Sequence, residues 1–189
     1  FVGNPSMNFV DGKGTQSADG SVELTILGDI KARFIPEYSL DMNAWRHVRD
    51  QSIAEKAEAE RQRLSKKGAV EKSNKDEVFK YHVQMVEEVD DSIADEPVIT
   101  DEDFVLGIRP EAIDISENGA IATEIYGAMP TGMESTLKFR VGEYLLTGVI
   151  FGGVIYQIGE KEKINITGND VLLFDRQSGR LICAGRLEL

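Results

Sequence analysis

Glycine is spread so unevenly along this chain that it divides the fold before any other feature is read. Twelve of the 18 glycines lie between residues 107 and 189, and a single one, Gly68, lies between residues 29 and 106. Glycine supplies the positive φ angles of tight turns and weakens helices. The C-terminal half is therefore expected to be short strands joined by turns, and the middle of the chain to be helical.

The C-terminal part opens on FVLGIRPEAIDIS at 104–116. It reads as a buried strand over 104–108, a corner at Arg109 and Pro110, and a short strand carrying Ala112, Ile113 and Ile115. A strand is expected over 120–126, then a turn over 127–132 that holds Pro130. Leu137, Phe139 and Val141 alternate through 134–141, and further strands are expected at 144–151, 163–167, 171–174 and 181–189. At the other end, Met7, Phe9 and Val10 mark a short strand that Asp11-Gly12 is expected to end. Val22, Leu24 and Ile26 alternate, Gly28-Asp29 turns, and 30–35 completes a hairpin stopped by Pro36. Many short strands with regular turns favour a small antiparallel barrel, because closure removes exposed edges.

Between these parts, residues 41–67 hold neither Gly nor Pro and are rich in Ala, Glu, Lys, Arg and Gln. Asp41 is the expected N-cap, and Met42, Trp45, Val48, Ile53, Ala57 and Leu64 form the apolar stripe, with Gly68 as the C-terminal cap. Ser73 and Asp76 suggest a second start. Val78, Tyr81, His82, Met85, Val86, Val89 and Ile93 fit helical spacing, so residues 37–102 are expected to form an inserted helical hairpin in which Trp45 packs on Tyr81.

Net charge is −12, and the segment 41–103 holds 10 basic against 17 acidic residues, so most of the acidity belongs to the insert. Such a surface repels phosphate backbones and anionic lipid, which argues against nucleic acid and direct membrane binding. No apolar run reaches the roughly 20 residues that span a bilayer. No phosphate-binding glycine loop, CxxC or HExxH motif occurs. His47 and His82 read as helix-surface residues, and Cys183 as a core residue. The carboxylates Glu87, Glu88, Asp90, Asp91, Asp95 and Glu96 read as a solvated helix end, lacking the spacing of a calcium loop. Catalytic, cofactor-binding and metal-ligating residues are not expected anywhere in the chain.

Four segments occur in a telling order: FVGNPSMNF at 1–9, LGIRPE at 106–111, Gly132-Met133-Glu134 before a strand, and VLLFDRQSGR at 171–180. Over residues 1–36 and 103–189 the chain resembles the C-terminal regulatory domain, with its transport-associated OB module, of ATP-binding subunits of maltose/multiple-sugar-type ABC importers. It departs from that family in the insert, in Thr131-Gly132-Met133-Glu134 where the family has Leu-Gly before the acidic residue, and in Leu172 where it has His. The resemblance implies a mainly β, OB-like antiparallel barrel, here discontinuous around the insert at 37–102. It implies a non-catalytic domain that pairs with a second copy, adjoins an upstream ATPase domain holding ATP and Mg, and acts indirectly on membrane permease subunits, with a regulatory protein as a further partner. The location implied is cytoplasmic, peripheral to the membrane. A first residue of Phe rather than Met accords with that expectation of an upstream domain. Candidate interdomain or dimer contacts are Arg109, Pro110, Gly132, Glu134, Trp45 and Tyr81. The alternative is a small-ligand module for oxyanions or sugars, which needs backbone N–H nests or basic side chains.

Overall fold

A computed structural model of the chain describes residues 5–65, 81–87 and 98–189. The start of the first motif (1–4), Gly68, the Ser73/Asp76 start signal, Val78, Val89 and Ile93, and the carboxylates from Glu88 to Glu96 lie outside the described residues.

Among the described residues the protein is mainly β, with OB-like barrel character and an inserted helix. Its strands divide between two sheets. The first is a closed six-stranded barrel of β1 (Asn8–Gln16), β2 (Val22–Ile26), β3 (Ile30–Pro36), β4 (Asp103–Ile108), β10 (Val171–Asp175) and β11 (Leu181–Glu188), in the order β1-β2-β3-β11-β10-β4. The second holds β5 (Ile113–Ile115), β6 (Ile121–Pro130), β7 (Glu134–Val141), β8 (Tyr144–Phe151) and β9 (Lys161–Ile166), in the order β5-β9-β6-β7-β8. Its end strands β5 and β8 lie near each other, so this sheet curls most of the way to a second barrel. All pairings are antiparallel.

Strands expected from alternation form as read, and two run further than expected. Asp11-Gly12 does not end β1, which continues to Gln16. A Cβ on Gly14 would sit 1.8 Å from the Glu23 carbonyl oxygen, so glycine here admits a close neighbouring strand rather than a turn. Likewise β6 runs through Gly127 to Pro130, with a register shift between Ile125 and Gly127, and the turn shrinks to 131–133.

The helix α1 (Met42–Leu64) starts where expected, with the Asp41 carboxylate accepting from the N–H groups of Asn43 and Ala44. Gln16, the last residue of β1, accepts from Met42 N at 2.9 Å and donates to Leu40 O at 2.7 Å, which seats the helix start on the barrel. The second expected helix does not form over its described part. Residues 81–87 are non-helical, with Met85 bridged to Tyr144. Their apolar positions fit a helical period, but backbone pairing to β8 sets the conformation instead.

Three of the four motif segments meet in the barrel. Phe9 on β1 and Leu172 on β10 both lie opposite Gly107 on β4. A Cβ on Gly107 would approach Met7 Sδ to 2.6 Å and the Phe174 ring to 3.0 Å, so those two side chains fill the space a larger residue would need. Beside them the Asn8 side chain reaches across to the second sheet. Its Nδ2 donates to Thr147 O at 2.8 Å and to Ile108 O at 3.2 Å, and its Oδ1 accepts from Thr147 N at 2.7 Å. Asn8 and Thr147 are both buried.

Replacing Asn8 by Leu leaves the Thr147 N–H and C=O buried without partners, an expected loss of about 2–4 kcal/mol. Urea denaturation of the two proteins, compared at constant m-value, measures it.

Candidate functional site

The chain offers two places where side chains converge. One is the turn after β10, where the insert is gripped. The other is an apolar rim on the second sheet.

The turn is built on Asp175, which is 2% exposed. Its backbone carbonyl accepts from Gly179 N at 2.9 Å, and its Oδ2 accepts from the Ser178 amide at 2.8 Å and from the Ser178 hydroxyl. Its other carboxylate oxygen accepts from Arg49 Nη1 of α1 at 3.0 Å. Arg49 is itself 4% exposed and extends its remaining donors to Asp50 at 2.8 Å and Asp101 at 2.9 Å. Burial works against its charge, but the hydrogen bonds it donates to Asp50 and Asp101 and the field of Asp175 outweigh burial and hold the guanidinium pKa above its ordinary value. A guanidinium suits this place because its planar fork serves three carboxylates at once. Arg180, at the end of the turn, donates to Ser52 Oγ of the same helix at 2.8 Å.

Tyr81 grips the same turn from the other arm of the insert. Its hydroxyl donates to Gly179 O at 2.6 Å, and its ring stands 5.0 Å from Phe9 and 5.2 Å from Phe174, centroid to centroid. Burial, followed by the Asp175 charge, pushes the Tyr81 phenol up to about 12. The expected Trp45–Tyr81 contact is thus replaced. Trp45 packs on the main core and carries the Arg49 guanidinium 5.9 Å from its ring centroid, whereas Tyr81 belongs to a separate cluster with Val105 and Phe174. Cys183 is half-buried, and burial pushes its thiol up to about 11, away from the range of a reactive thiolate.

The rim lies at the far end of β6, β7 and β8. Met129, Met133, Phe151, Val154, Ile155 and Ile158 are each more than half exposed there. Gly152 N donates to Met133 O at 2.9 Å, and Gly159 N donates to Ile125 O at 2.8 Å, fixing both ends of the loop that carries Val154, Ile155 and Ile158. Tyr156, between them, packs on the core. Large apolar residues left exposed together on one sheet and its loop mark interaction surfaces more often than single exposed residues do.

Of the six residues selected from sequence, Gly132 and Glu134 lie exposed within this rim, and Glu134 is paired with Phe151. Arg109 is exposed and Pro110 buried at the crossover from β4 to β5, where the chain passes from one sheet to the other. Trp45 and Tyr81 are committed to internal packing. Sequence reasoning missed Asn8, Arg49 and Asp175, each of which has a partner more than 100 residues distant. It also missed the rim, although Met133 beside a glycine turn was legible. Among the described residues no three His, Cys, Asp or Glu side chains are grouped to hold a metal ion, and no helix is long and apolar enough to cross a membrane.

Arg49→Met leaves Asp175 buried without its cation and is expected to cost about 3–5 kcal/mol by denaturation, whereas Arg49→Met with Asp175→Asn loses clearly less. In an alkaline titration of phenolate absorbance, Tyr81→Phe removes a component that ionises near pH 12. The folded phenol keeps its proton where the unfolded one, ionising near 10, has lost it, so the wild type loses stability as pH rises from about 10 to about 12.

No protein-family model matches this chain, and no curated protein matches it.

Proposed function

We propose that this chain is a non-catalytic regulatory and dimerisation domain of the ATP-hydrolysing subunit of an importer of the sugar-type ABC class. The observation that carries the reading is the meeting of the ordered motifs in space. Met7 and Asn8 of the first, Gly107 and Ile108 of the second, and Leu172 and Phe174 of the fourth form one packed and hydrogen-bonded group. The third motif stands on the rim, where a second copy would sit. Each copy carries a net charge of −12, so two copies repel over most of their surface. The rim gives them an apolar place to approach, and Glu134 and Lys138, exposed on the same face of β7, offer opposite charges to a two-fold partner.

In this reading the ATPase domain lies upstream, ATP and Mg bind there, and the domain described here neither binds nor hydrolyses ATP. Pairing of two such domains keeps two ATPase subunits together while their nucleotide sites open and close. The complex works at the cytoplasmic face of the membrane beside the permease subunits.

Light scattering over a concentration series tests the dimer. The wild type is expected to reach twice the monomer mass. Met133→Glu combined with Ile155→Glu is expected to weaken pairing by about 10- to 100-fold, the size of effect expected for interface anchors. A wild type that stays monomeric at high concentration contradicts dimerisation, and a dimer indifferent to these changes contradicts the rim as its face.

A further inference from the structure

The outer face of the second sheet runs against the charge balance of the chain. Acidic residues outnumber basic ones 33 to 21 overall. On β6, β7 and β9, by contrast, the register sets four cations around one carboxylate. Glu124 stands directly opposite Arg140 on one side and Lys161 on the other, and directly opposed residues share a face. Lys163 lies opposite Ala122, and Lys138 opposite Gly127 and Thr147, so neither has a charge across from it. Lys138, Arg140, Lys161 and Lys163 are all exposed, and among the described residues none of them joins an ion pair. Asp114 and Glu134 stand at the margins of the face.

The cations form two rows, Lys161 and Lys163 along β9 and Lys138 and Arg140 along β7, with β6 between them. Neighbouring strands lie about 4.8 Å apart and alternate residues on a strand about 6.6 Å apart, so the rows are separated by about 10 Å. Between them β6 presents Ala122 and Gly127, with little or no side chain, and Tyr126, which is 43% exposed. Charges spread in this way do not converge on one small anion. They suit an extended chain lying along β6, with carboxylates reaching to both sides. Glu124 in the trough repels the evenly spaced charges of a phosphate backbone, but it accepts a peptide that places an uncharged or basic residue over it.

We propose that this face binds an extended acidic segment of a partner protein. The rest of the molecule adds direction, because its net charge of −12 repels such a partner elsewhere and leaves this face as the favoured approach. The site is separate from the apolar rim: Arg140 and Lys163 lie toward the opposite end of the sheet from Met129 and Phe151. The inference goes beyond the importer reading and stands without it.

Fluorescence anisotropy with the whole chain tests it, using a labelled peptide of about twelve residues that alternates Glu with Thr, a pattern that favours extended backbone. Binding is expected at about 20 mM salt and is expected to weaken at least about ten-fold at about 200 mM. Lys161→Glu with Lys163→Glu is expected to weaken it at least about ten-fold. Lys31→Glu with Lys56→Glu changes net charge equally at exposed positions on the barrel and helix, and is expected to leave binding within about two-fold. Lys161→Gln with Lys163→Gln gives a smaller loss in the same direction, which keeps the test decisive if the charge reversal does not fold. No binding of the peptide, equal losses in the two charge reversals, or tighter binding of an oligothymidylate of the same length overturns the proposal. So does loss of pairing between copies in Lys161→Glu with Lys163→Glu by light scattering, since the face then belongs to that contact.

Discussion

The Asp175 carboxylate is the group on which the arrangement of this molecule turns. A carboxylate taken out of water costs several kcal/mol unless charge and hydrogen bonds replace its hydration. Asp175 meets that demand locally through Ser178 and at long range through Arg49, so the turn and the helix are specified by the same side chain. Arg49 makes the reciprocal demand, and Asp50 and Asp101 answer it from the helix and from the segment leading into β4. The beginning and end of the insert are in this way held to one point on the barrel. Beyond Ser52 the helix runs on with its side chains largely exposed, polar around its circumference, with pairs such as Arg63–Glu60 on its surface.

A second constraint is steric. The first, second and fourth motifs lie on neighbouring strands, and they fit because Gly107 has no side chain where Met7 and Phe174 converge. Asn8, next to Met7, is then placed to bind both edges of the Thr147 peptide unit, and the barrel and second sheet share a buried core. The motif residues thus serve packing first. An Asn flanked by apolar residues on a strand becomes a bridge between sheets because its amide matches one backbone N–H and one C=O at the same time.

Much of the fold was legible in sequence because its signals are local. Alternation in β2 and β7, the Asp41 cap and the glycine turns report on neighbours a few residues away, and these elements stand where expected. Where a residue's role depends on a distant strand, local signals mislead. Asp11-Gly12 reads as a strand end but lies inside β1, which continues through Gly14 where β2 approaches closely. The segment 81–87 fits a helical period, yet the unpaired edge of β8 and the slot beside Phe174 together outweigh a propensity worth a few tenths of a kcal/mol per residue. The same limit hid Arg49 and Asp175, each an ordinary charged residue in a polar stretch until the other is brought beside it.

The rim was hard to read for the opposite reason. Apolar residues in strand-like stretches are expected to point inward, and Met129, Phe151 and Ile155 do not. Both ends of the loop that carries much of the rim are fixed by backbone hydrogen bonds, and Tyr156 anchors its middle, so these apolar side chains are held in water by the frame around them. Holding them there costs solvation free energy that a solitary chain does not recover. A surface so built is stabilised by being covered.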